Sequence, residues 1–250
     1  MITAIEIKTP DGVCDAWIAK PEGKGPRPAV IFCMDAVGPR PTLRAMAERL
    51  AAEGYVVLLP NLFYREKRAP IVSGIPSPIT LKHIPDILNQ IMPLVQRFDP
   101  TAALRDMKIF LEYLDIQPNV QKGKAGIFGY CMGGAMAIRS AAAYPQRFAA
   151  VASFHAGGLV TGDAESPHRL LPKLKAALYV AHADSDPHMT ADQIAEFGRA
   201  VDQLSIPHQV ELYAGAQHHF TMVDLPAYDA AAAERHWQEL TGLFGRTLAS

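Results

Sequence analysis

A chain of 250 residues can fold as one α/β domain with a sizeable core, and 49 % hydrophobic with 20 % charged residues excludes a disordered chain. The formal net charge is −1, spread without a basic stripe or charged block, so no nucleic-acid partner is expected. Three cysteines at long spacings, Cys14, Cys33 and Cys131, give neither a disulfide framework nor a zinc pattern, and no apolar run approaches a membrane span.

Ile2 to Lys8 and Val13 to Lys20 read as two strands joined around Asp11-Gly12, a hairpin signal. The first ten residues lack a basic start, an apolar centre and a cleavage site, so a reducing cytoplasm is the expected location. After a Pro/Gly loop, Ala29 to Met34 is a continuous apolar run, hence a buried strand. It stops at Asp35-Ala36-Val37-Gly38, at the strand end where open α/β sheets bind ligands. Thr42 to Glu53 is an amphipathic helix closed by Gly54, and Tyr55 to Pro60 is the next strand.

Residues 61–100 break this rhythm with repeated prolines, Pro70, Pro76, Pro78, Pro85 and Pro93 among them. The stretch is expected to be a lid-like insertion, with a broken helix over Ile84 to Phe98. A helix follows from Thr101 to Leu114, with Asp99 or Thr101 as its cap.

The chain is organised around the next stretch. Ala125 to Phe128 is a short buried strand, Ala135 to Ala143 is helix-forming, and Gly129-x-Cys131-x-Gly133 joins them. This is the nucleophile-elbow spacing with cysteine in the serine position. The turn is strained, and the residues two before and two after the nucleophile approach closely, so both must be small. The helix N-terminus beside the sulfur favours thiolate, and the Met132 N–H points where an oxyanion would form.

Phe148 to Phe154 is another strand, ending at His155, and Thr161 to Leu174 is polar with a short helix at most. Ala176 to Ala181 is a strand ending in His182-Ala183-Asp184-Ser185-Asp186-Pro187. Thr190 to Leu204 is a capped helix, His208 to Tyr213 is the last strand, and Tyr228 to Leu248 is a long closing helix. Between the last two lies Gly215-Ala216-Gln217-His218-His219-Phe220.

A thiol nucleophile needs a base and a group that orients the base. Asp186 and His218 each follow a strand, in the chain order nucleophile, acid, histidine. Asp186 is favoured because Asp-Pro starts the turn into the next helix, and Asp184 is the fallback. His218 is favoured over His219, which is expected to line the site or pack. His182, Asp184, Asp186 and His188 alternate, but a Pro-containing turn without a third-ligand motif makes a poor metal site, and no metal is expected.

At this point the chain resembles the dienelactone hydrolase family, the carboxymethylenebutenolidases, a branch of the α/β-hydrolases. The likeness covers almost the whole chain. It rests on Gly129-Tyr130-Cys131-Met132-Gly133-Gly134, on Ala183 to Pro187, on Gly215 to Phe220, and on Glu53 to Pro60 with its helix. The resemblance implies an α/β-hydrolase fold over residues 1–250: a mostly parallel central sheet with helices on both faces. It also implies cleavage of a small ester or lactone through an acyl-enzyme, without cofactor. The implied triad is Cys131, His218 and Asp186. Ala36 would supply the second oxyanion N–H beside Met132. Asp35 stands where the family has a Glu that contacts the resting cysteine. Met222 stands where dienelactone hydrolases use an Arg to grip the substrate carboxylate, and Arg65 or Arg68 of the insertion are candidates to replace it. Tyr130, Phe154, His155 and Met222 are candidate pocket lining. Two rival readings are a general carboxylesterase or thioesterase on the same triad, and a non-catalytic ligand-binding or redox-sensing relative.

Overall fold

The apolar runs predicted as central strands are buried along their whole length. They are β3 (Ala29–Cys33), β4 (Val56–Pro60) and β5 (Ala125–Tyr130). Such runs suit a sheet covered on both faces. With β1 (Ile2–Thr9), β2 (Gly12–Ala19), β6 (Phe148–Phe154), β7 (Ala177–Ser185) and β8 (His208–Gln217) they form one eight-stranded sheet. Its order is β1-β2-β4-β3-β5-β6-β7-β8. Only β1–β2 and β2–β4 pair antiparallel, and the rest is parallel. This computed structural model describes residues 1–23, 25–74, 76 and 79–248.

Seven helices accompany the sheet among the described residues: α1 (Pro41–Ala52), α2 (Ile84–Arg97), α3 (Pro100–Asp115), α4 (Met132–Ala143), the one-turn α5 (Pro167–Leu170), α6 (Ala191–Val201) and α7 (Ala230–Leu248). None is long and apolar enough to cross a membrane. The period of β5 separates the two faces. Gly126, Phe128 and Tyr130 face α7: a Cβ on Gly126 would lie 2.9 Å from Phe244 and Leu248, Phe128 packs edge-on to Phe244, and Tyr130 meets His236. Gly129 faces α4, where its Cβ would lie 2.2 Å from the Gly133 carbonyl oxygen.

Several boundaries differ from the sequence expectation. α4 starts at Met132, directly after the nucleophile candidate, because Cys131 is itself the N-cap residue. β7 and β8 run on to Ser185 and Gln217, which pair with each other beyond a register shift. The helix expected to be broken within 84–98 is continuous over Ile84–Arg97 despite Pro93. The ring costs one backbone bond there, while Ile87, Ile91 and Leu94 stay buried along one face. The insertion also holds a turn over 61–67 and a 3₁₀ turn at Leu81–His83. Ile75, Ser77 and Pro78 of the insertion lie outside the described residues.

Candidate active site

The elbow is built by close approach. A Cβ on Gly133 would lie 2.3 Å from the carbonyl oxygens of Cys33 and Met34, and one on Gly134 would lie 2.5 Å from the Ser153 hydroxyl. No side chain fits in these gaps, so α4 can press against the ends of β3 and β6 only with glycine there. Cys131 is held at φ 55°, ψ −124°, a conformation that non-glycine residues rarely adopt. Cys131 is partly exposed, whereas Cys14 and Cys33 are fully buried, and burial pushes both of those thiols up.

Asp186 and His218 come together at the ends of β7 and β8. Asp186 Oδ2 accepts from His218 Nδ1 at 2.7 Å, and Oδ1 accepts from the His188 N–H at 2.8 Å. Asp184 points elsewhere: it is exposed and accepts from the Gly215 N–H at 2.9 Å. With Nδ1 engaged, His218 has Nε2 free. That atom is buried and makes no hydrogen bond among the described residues. The Cys131 sulfur, one ring nitrogen of His218 and one of His219 lie within 4.8 Å of one another. The sulfur lies beside the imidazole and favours its charged form. Burial opposes a charge on His218, but the Asp186 hydrogen bond and the Cys131 sulfur outweigh it and push the pKa up to about 10.

Other imidazoles crowd this one. His155 lies 5.1 Å from the His218 ring centroid, His188 4.8 Å and His219 4.2 Å. Burial, and next the charge on His218, lower the pKa of all three, so a single proton is concentrated on His218. His182, Asp184, Asp186 and His188 form no metal-ligating group among the described residues.

Four candidate lining residues are instead foundation. Tyr130, Phe154, His155 and Met222 are 0 % exposed. The Tyr130 ring stacks on Phe154 and His155, and its hydroxyl bonds His236 Nε2 at 2.5 Å on the α7 side. His155 Nε2 pairs with the Thr221 hydroxyl at 2.8 Å. The alternation of β5 sends Tyr130 to the opposite face from Gly129, and this reverses its expected role.

Arg65 and Arg68 are engaged away from the elbow. Arg65 pairs with Asp11 at 2.7 Å and Asp106 at 2.8 Å, and Arg68 pairs with Glu6 of β1. The order β1-β2-β4-β3-β5 puts β1 four strand spacings from the elbow, a distance of about 19 Å. Asp35 makes no hydrogen bond to the Cys131 thiol among the described residues. Its Oδ1 accepts from Arg40 at 2.8 Å and from the Val37 N–H at 3.0 Å, while Oδ2 is buried without a hydrogen bond. Arg40 also forks onto Asp224 at 2.6 and 3.2 Å. The Ala36 N–H makes no hydrogen bond among the described residues, and the Met132 N–H, first in α4, has no intrahelical partner.

A cleft of about 410 Å³ opens beside this loop, lined by Trp17, Val37 and Arg40 on one side and by Ile71, Val72 and Ile79 of the insertion on the other. The insertion is tied to the site side by the Ile79 N–H, which donates to the Asp224 carbonyl at 3.0 Å. Arg40 and Asp224 were absent from the sequence reading. They stand 184 residues apart, and no local pattern marks the pair.

A family model described as "Dienelactone hydrolase family" matches residues 14–248. The chain belongs to the dienelactone hydrolase family. A Synechocystis protein named "Putative carboxymethylenebutenolidase" is 27 % identical over 231 residues, covering 91 % of this chain and 89 % of that one. Among solved structures, a "Putative Dienelactone Hydrolase" from Klebsiella pneumoniae superposes with a TM-score of 0.82 at 22 % identity, covering 98 % of this chain and 99 % of that one. A dienelactone hydrolase from Anabaena variabilis gives a TM-score of 0.71 at 20 % identity, covering 100 % and 99 %. These two share the fold, the α/β-hydrolase arrangement. This member of the family is a hydrolase of ester or lactone bonds.

Proposed function

We propose that Cys131, His218 and Asp186 are the catalytic triad, and that the substrate is a small lactone or ester without a carboxylate to be gripped. The observation that carries the triad is the 2.7 Å Asp186–His218 contact, which leaves the other imidazole nitrogen free near the elbow sulfur.

His218 takes the proton that the Cys131 sulfur gives up, and the sulfur attacks the carbonyl carbon. The N–H groups of Met132 and Ala36 hold the developing oxyanion. Collapse forms a thioester and expels the alkoxide or enolate, which His218 protonates. Water, deprotonated by His218, then attacks the thioester, releases the acid and returns the thiol. Asp186 keeps the imidazole in the tautomer and orientation that both half-reactions need. No cofactor enters this sequence. The cleft between the insertion and the 35–44 loop does not itself include Cys131 or His218 in its lining, but it adjoins the proposed oxyanion loop, and in this reading substrate enters there with the 61–100 insertion as the lid. The free thiols of Cys14, Cys33 and Cys131 suit a reducing compartment, and we place the enzyme in the cytoplasm.

The preference for an uncharged substrate is supported by the cations present. Met222 is buried at the position that an Arg occupies in the resemblance, Arg65 and Arg68 are paired at the sheet edge, and Arg40 is neutralised by two carboxylates. The test is steady-state hydrolysis of p-nitrophenyl acetate, an uncharged enol lactone and a carboxylated dienelactone by wild type and Cys131→Ala. The uncharged compounds should turn over, with kcat lowered at least about a thousandfold in Cys131→Ala. Turnover that survives Cys131→Ala removes Cys131 from the mechanism, and preference for the carboxylated lactone overturns the substrate class.

A further inference from the structure

The triad leaves one feature of the site unused. His219 is a second imidazole beside the sulfur, at φ 73°, with Nε2 buried and lacking a hydrogen-bond partner among the described residues. A side chain that needs only to pack does not require a strained backbone or an orphaned nitrogen. His218, 7 % exposed, presents a second orphaned Nε2 in the same place.

We propose that Cys131, His218 and His219 form a binding site for a borderline-soft divalent cation of the Zn²⁺ type, and that occupancy switches the hydrolase off. One thiolate and two imidazoles are the donor set such ions choose, in preference to Mg²⁺ or Ca²⁺. The three donors lie within 4.8 Å of one another, the one such group among the described residues. Tetrahedral bonds to sulfur and nitrogen require donor spacings of about 3.4–3.6 Å. Closing the gaps takes at most about 1.4 Å, within reach of small side-chain rotations. Asp186 supplies the outer partner: a carboxylate on Nδ1 fixes a histidine with Nε2 directed to the ion.

Binding releases one proton to solvent from the Cys131–His218 pair and forms one metal–sulfur and two metal–nitrogen bonds, with no change of oxidation state. The fourth position stays open to water. Inhibition rests on the proposed role of Cys131 as nucleophile, since a metal-bound sulfur and Nε2 can neither attack nor shuttle protons. Binding itself does not depend on that role.

The test titrates Co²⁺ into the full chain, kept reduced with a phosphine and free of chelators, and reads thiolate-to-cobalt charge-transfer absorption. Wild type should give a saturable band at one ion per chain, absent in Cys131→Ala. His219→Asn, a residue that tolerates positive φ, should need at least about tenfold more Co²⁺. His219→Gly is read in the same way if the Asn variant does not fold. Zn²⁺ should displace Co²⁺ and stop hydrolysis in wild type, at correspondingly higher concentration in the His219 variant. No saturable band, a band that persists in Cys131→Ala, or a His219 variant that titrates like wild type overturns the site. A band in a protein that hydrolyses none of the ester panel would sink the proposed function and leave the metal site standing.

Discussion

The Arg40 guanidinium donates to Asp35 Oδ1 at 2.8 Å, so the carboxylate at the end of β3 is engaged by a cation. Arg40 spans from the proposed oxyanion loop to Asp224, on the loop that follows His218 and His219. Its side chain is 10 % exposed and that of Asp35 0 %. Arg40→Leu would strand two carboxylates. It should destabilise the fold by about 3–5 kcal/mol, read as a fall in the urea midpoint. Arg40→Leu with Asp35→Asn and Asp224→Asn should recover part of that loss; no recovery would mean that the arginine acts through packing alone.

Asp186 and Asp184 are two residues apart, yet one faces the imidazole and the other caps a loop N–H. Asp186→Asn keeps the size of the side chain and removes the charge that supports His218 as a base. Its kcat should fall at least about a hundredfold, as for triad carboxylates generally. Asp184→Asn still accepts from Gly215 and should stay within about threefold of wild type. Equal losses in the two variants would show that the acid is not singled out by its contact with His218.

Cys131 holds φ 55° at the elbow, which a side chain resists and glycine does not. Cys131→Gly and Cys131→Ala both lack the sulfur, so their difference isolates backbone strain. The Gly variant should be more stable by about 1 kcal/mol, measured by denaturant unfolding of the pair. An Ala variant of equal or greater stability would show that the surrounding glycines have already relieved the strain.

Buried histidines set opposite limbs of the pH profile. His218 is raised to about 10, so the stability it contributes is complete below its ordinary value of 6.5 and is lost as pH rises through 10. His182 and His236 are lowered by burial, to about 4 and about 3, and remain neutral in the fold. The unfolded chain protonates them below 6.5, so their contribution is lost as pH falls from 6.5 towards those values. Each histidine kept neutral costs about 1.4 kcal/mol per pH step in that window. Urea midpoints should therefore fall on both sides of a neutral plateau. His236→Gln should flatten the acid limb, and an unchanged slope would remove His236 from that account.

The sequence by itself determined the elbow, the succession of strands along the chain and Cys131 as the candidate nucleophile. These depend on short-range facts: apolar runs long enough for buried strands, glycines two residues either side of Cys131, and turns closing each strand. The elbow glycines were legible because their requirement is local, and the 2.2 Å approach of a Gly129 Cβ to Gly133 states that requirement as a distance. Asp186 was favoured over Asp184 from its Asp-Pro turn, but the strand continuation that turns it inward, β7 and β8 running on to the Ser185–Gln217 pair, was not legible. Nor was the fate of Tyr130, which is tied to His236 across 106 residues. Arg65 looked free in the sequence and is paired in the fold, whereas Arg40 drew no attention and joins both sides of the site. Charges and aromatic rings take their roles from partners far along the chain, and only the packing of sheet, helices and insertion brings those partners within reach.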